Sequence, residues 1–127
     1  MTQLILELKA AIVPVFKDEL DLALAHLAEV AAASGAVIKR ESTPYSKPPD
    51  SWMLRVQAVC TGSAEALVRE VVDRLQGSGW IVDGNEIESE AIWSPREGVL
   101  APMSPTLTWA FVQAFPMSSK VDSIRRS

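Results

Sequence analysis

The chain has 127 residues, 48% of them hydrophobic, and a formal net charge of −4. That length fits one domain with its own core, and a single cysteine excludes an internal disulfide. One His, one Cys and one Tyr put the usual zinc ligand sets and most nucleophile–base pairs out of reach.

Leu4 to Val13 alternates, with Leu4, Leu6, Leu8, Ala10 and Ile12 on one face and Glu7 and Lys9 on the other. Period two with one polar side predicts a half-buried strand, which Pro14 ends. Asp18 to Ala33 is expected as a helix: Leu20, Leu24, Leu27 and Ala31 recur at helical spacing. Asp18 can cap its start, and Gly35 suits a left-handed stop. Ala36 to Thr43 is a second strand, and the three prolines of Pro44–Ser51 predict a loop.

Trp52 to Cys60 is a third strand, with Arg55 and Gln57 on its polar side. Ser63 can cap a helix over Ala64–Gln76 whose apolar face is Leu67, Val68, Val71, Val72 and Leu75. Gly77–Gly79 stops it. From Trp80 to Trp93 the pattern fits one bent strand or a short hairpin around Asp83–Asn85. Glu86, Glu88 and Glu90 share one side there, and Ile87, Ser89, Ala91 and Trp93 the other. Ser94–Ser104 is loop. Thr106 to Phe115 alternates Leu107, Trp109, Phe111 and Phe115 against Thr106, Thr108 and Val112, which favours a strand. The competing helix start is Ser104-Pro105.

This order predicts an α+β fold, a ferredoxin-like βαββαβ antiparallel sheet with two helices on one face, plus a C-terminal extra strand. The domain spans residues 1–117, and 118–127 is a polar, frayed tail. Strands one and three take the middle, so Glu7 and Lys9 adjoin Arg55 and Gln57. The acidic fourth strand neighbours the first. The extra strand extends an edge, covers part of the open face, or pairs with another chain.

The chemistry of individual residues is sparse. His26 lies in the first helix without a motif and reads as a boundary residue. Cys60 ends a strand on its buried side and reads as a small hydrophobe. Glu86, Glu88 and Glu90 along one strand are about 7 Å apart, too spread to hold one cation unaided. No glycine pattern opens a helix as a phosphate cradle. Trp52 and Tyr45 flank the proline loop and Trp93 precedes the next loop, so these aromatics are candidates to touch a partner.

The expected function follows from these absences. No catalytic residue, metal or cofactor is predicted. The acidic balance, with only Arg125-Arg126 as a basic run, excludes a nucleic-acid partner. Met1–Lys9 lacks the form of a signal peptide, and no apolar run approaches the ~20 residues that span a bilayer. The protein is expected to be cytoplasmic, with no membrane partner. The leading reading is a non-catalytic protein-binding module. Its composition suits an immunity-type inhibitor that plugs a bacterial toxin. Glu86, Glu88 and Glu90 would meet a basic partner, with Trp93 or Trp52 as anchor and Arg55 beside them. The alternatives are a small-ligand-binding or regulatory dimer joined through edge strands, and, ranked last, a cofactor-free enzyme.

Overall fold

The computed structural model describes residues 3–14, 18–45, 50–75, 79–93 and 107–117. Its elements are β1 (Gln3–Ile12), α1 (Glu19–Ala32), β2 (Ala36–Tyr45), β3 (Ser51–Thr61), α2 (Ala64–Leu75), β4 (Ile81–Gly84), β5 (Ser89–Trp93) and β6 (Leu107–Pro116). The six strands form one sheet in the order β2-β3-β1-β6-β5-β4, and all neighbours run antiparallel.

The class is α+β, but this order departs from a plain ferredoxin-like sheet. The place beside β1 that the fourth strand was expected to fill is taken by β6. The segment 80–93 is a hairpin, β4 with β5, attached outside β6. The acidic run is thus separated from β1 by a whole strand, and the C-terminal strand is internal rather than an edge. Composition accounts for the exchange. Leu8 pairs with Val112, and Ala10 with Ala110, so small and branched apolar side chains meet on the covered face. The acidic segment could not supply that surface to a central position.

Both helices cover one face. Leu4, Leu6, Leu8, Ala10 and Ile12 of β1 join Leu54, Val56, Ala58 and Cys60 of β3 and Ala110, Val112 and Ala114 of β6 in the core. Ala23, Leu27, Val30 and Ala31 of α1 and Leu67, Val68, Val71 and Leu75 of α2 pack onto them. The alternation in β1 and β3 therefore assigns the covered face correctly.

Local details correct several expectations. Asp18 occupies the N-cap position of α1, yet its side chain makes no cap hydrogen bond. Gly35 is required by close approach, not by a left-handed turn: a Cβ there would stand 2.2 Å from the Val59 carbonyl oxygen. Strand β2 runs on through Pro44 to Tyr45, because an edge strand tolerates a residue without an N–H. Ser63 does cap α2, its Oγ accepting from the Ala66 N–H at 3.4 Å. The loop 94–104, the stop at 77–78 and the tail 118–127 lie outside the described residues.

Candidate functional site

The face without helices is organised in rows, because side chains of paired residues point the same way across an antiparallel sheet. One row runs Lys39, Gln57, Glu7, Gln113, Glu90, Asp83. The next runs Glu41, Arg55, Lys9, Phe111, Ile92, Ile81. The adjacency of Glu7 and Lys9 with Gln57 and Arg55, expected from alternation, is the observed register.

At the centre, Glu7 is only 4% exposed. Its carboxylate meets Lys9 Nζ at 3.0 Å and Arg55 Nε at 3.8 Å, and accepts a short hydrogen bond from the Gln57 amide. Arg55 also reaches Glu41 at 3.5 Å, and Lys39 meets Glu41 at 3.7 Å. Burial pushes the Glu7 carboxyl up, but the hydrogen bonds from Gln57 and Lys9 and the charges of Lys9 and Arg55 outweigh it and hold the pKa below the ordinary value. The group stays ionised because its charge is shared, which marks it as structural.

On the other side of β6 the arrangement reverses. Asn85 Oδ1 accepts from the N–H groups of Ile87 and Glu88 at 2.8 and 3.1 Å, which shapes the connection from β4 to β5. Gly84 has φ +124°, and a Cβ there would meet the Glu88 carbonyl oxygen at 2.5 Å. This turn breaks the expected alternation. Glu86 and Glu88 lie in the connection and Glu90 alone is on the strand, so the three do not form one ladder. Ile87, expected on the covered side, is 68% exposed. Asp83, Glu88 and Glu90 line a cleft of about 280 Å³ with Asn85 and Gln113. Among the described residues, no cation lies within ion-pair distance of Asp83, Glu86, Glu88 or Glu90. The Glu86 carbonyl accepts from the Ala64 N–H at 2.7 Å, tying the turn to the start of α2.

Between these regions lies an apolar strip. Trp109 and Phe111 stack with ring centroids 5.8 Å apart and planes at 5°. Beside them Ile92 is 39% and Ile81 56% exposed. The alternation of 107–115 placed both aromatics on one side. What it missed was that this side would be the open face at the middle of the sheet.

The suspected anchors fare differently. Trp93 is 4% exposed and belongs to the core, so its ring offers a partner no surface. Trp52 is half-buried against the same core. The side chain of Tyr45 lies outside what is described. Arg55 is half-buried and held by two carboxylates. His26 is half-buried, with Nε2 lacking a hydrogen-bond partner among the described residues. Cys60 is buried, and burial together with the charge of Glu70 pushes its thiol pKa up, away from a nucleophilic thiolate.

Among the described residues no three His, Cys, Asp or Glu side chains are grouped to hold a metal ion, and no helix is long and apolar enough to cross a membrane. No family model, no curated protein and no solved structure matches the chain.

Proposed function

We propose that this chain is a non-catalytic protein-binding module that docks through its open sheet face and the adjoining acidic hairpin, in the manner of an immunity-type inhibitor of a bacterial toxin. One observation carries the reading. Asp83, Glu86, Glu88 and Glu90 stand without cations beside an exposed apolar strip of Trp109, Phe111, Ile92 and Ile81. Unpaired surface carboxylates add little to folding, but they steer a basic partner and raise its association rate. Aromatic side chains beside them supply the desolvated contact on which affinity depends. In this reading Trp109 and Phe111 take the anchoring role that Trp93 cannot fill. Glu86, Glu88 and Glu90 keep their electrostatic role, and Trp52 and Arg55 lie at the rim.

The test is capture of partners by the full chain and by Glu88→Lys, followed by binding kinetics with the purified partner. A stoichiometric basic protein is expected. Its association should slow as salt rises, because exposed charges are screened beyond about 10 Å at 0.1 M. Binding unaffected by both Glu88→Lys and salt would remove the acidic hairpin from the mechanism.

A further inference from the structure

We infer that the open sheet face packs against the same face of a second copy of this chain, in a two-fold dimer whose axis runs along β6. This rests on the reading above of that face as a docking surface, and it names the occupant of its apolar strip.

The strand order supplies the symmetry. On one side of β6 lie β1 and then β3; on the other lie β5 and then β4. A two-fold axis along β6, in the plane between two facing sheets, lays β1 over the mate's β5 and β3 over the mate's β4. Such an interface is isologous, so each patch must complement the patch that the rotation brings to it.

The charges meet that condition. The outward side chains of β2, β3 and β1 include three cations, Lys39, Arg55 and Lys9, and two carboxylates, Glu41 and Glu7. Those of β5 and β4 include Glu90 and Asp83 and no cation. The face is thus net positive on one side of β6 and net negative on the other. The rotation brings the strands carrying Lys9 and Arg55 opposite the mate's strands carrying Glu90 and Asp83. The apolar strip lies at and next to the axis, where stable interfaces place their aromatic and aliphatic contacts inside a charged rim.

The size is also adequate. Strands β1, β3 and β6 have 10, 11 and 10 residues. At a rise of about 3.3 Å and a strand spacing of about 4.8 Å, six strands offer roughly 800 Å² at most, the per-partner area of a standard stable complex. The sheet's edges are less suited to pairing. Strand β2 carries a bulge between Val37 and Lys39 and a proline at Pro44. Strand β4 is four residues long. Bulges, charges, proline and shortness all blunt an edge. The face, not an edge, is the surface for a second copy. The hairpin turn with Glu86 and Glu88 stays outside this contact.

The experiment is sedimentation velocity of the full chain from low to high micromolar concentration, with Ile92→Lys and Asp83→Lys compared at each step. Melting temperature and circular dichroism serve as fold controls. The wild type should pass from monomer to dimer. Ile92→Lys should remain monomeric, and Asp83→Lys should weaken association about tenfold, the effect of losing roughly one favourable charge contact. A wild type that is monomeric at every concentration overturns the dimer. So does a dimer indifferent to both substitutions. Partner capture with Glu88→Lys separates this from the broader reading: a monomer that loses a basic partner on that change refutes self-association and leaves the binding module standing.

Discussion

On the β1–β3 side of the open face, Glu7 is 4% exposed and its carboxylate is surrounded by Lys9, Arg55 and Gln57. On the β4–β5 side, Asp83, Glu86 and Glu88 are exposed, and none has a cation within pairing distance among the described residues. The same residue types serve opposite ends. A buried carboxylate must be compensated or the sheet will not form around it, so its partners are built in. An exposed carboxylate needs no compensation to fold and keeps its field for whatever approaches. Burial, not the count of acidic residues, separates a structural charge from a recognition charge here.

The sharpest way to break that contrast is to truncate one carboxylate from each side. Glu7→Ala leaves Lys9 and Arg55 facing each other and should cost about 2–3 kcal/mol, below the 3–5 of a fully buried pair because both cations are partly exposed. Glu88→Ala should change stability by less than about 0.5 kcal/mol, as surface substitutions do. Urea unfolding of the two variants measures the difference, and equal losses would erase the distinction.

Acid provides a second handle. Because the Glu7 pKa is lowered on folding, the native state holds that proton less tightly than the unfolded chain. Its stabilising contribution is complete above the unfolded value of 4.5 and is lost as pH falls through the lower folded value. Thermal melts of the wild type should therefore show a Glu7-dependent decline below about pH 4.5. Glu7→Gln should flatten that decline.

A smaller effect isolates the amide. Gln57→Leu removes the hydrogen bond to Glu7 while keeping the side chain's bulk, and should cost about 1.5 kcal/mol, the low end for a bond to a charged group. It should also raise the pH at which stability falls, since one contact favouring the ionised form is gone. The smallest effect concerns the cap of α2: Ser63→Ala should lose about 0.5 kcal/mol, because its bond to Ala66 is long and exposed.

Much of the fold was legible because it depends on local alternation. The covered face of β1 and β3, the apolar stripe of α2 and the strand at 107–116 all follow from which residues repeat at which period. The register placing Glu7 against Gln57 and Lys9 against Arg55 followed from putting those strands side by side. What local pattern could not carry was the competition between two segments for the place beside β1. Both alternate; the choice depends on how Ala110, Val112 and Ala114 fit opposite Ala10, Leu8 and Leu6, a match between residues a hundred positions apart. The candidate site suffered at the same point. Three alternating glutamates imitate a strand face, but Asn85 accepting two backbone N–H groups turns the chain before the alternation can be realised. Trp93 was misjudged because a tryptophan before a loop looks the same in sequence whether its ring turns toward the core or away.

The position of β6 also bears on how the molecule is made. A ribosome releases β1, α1, β2 and β3 by Thr61, and those strands can pair at once. The partner for β1's other side is not finished until Pro116, 55 residues later (116 − 61). At synthesis rates of about 5–20 residues per second, that delay lasts roughly 3–11 s. During that interval the nascent chain presents β1 as a bare apolar edge, the form of surface that invites pairing with the wrong chain. The hairpin bearing the acidic turn has no sheet to join until β6 arrives, so the proposed recognition surface is the last part of the protein to come into being.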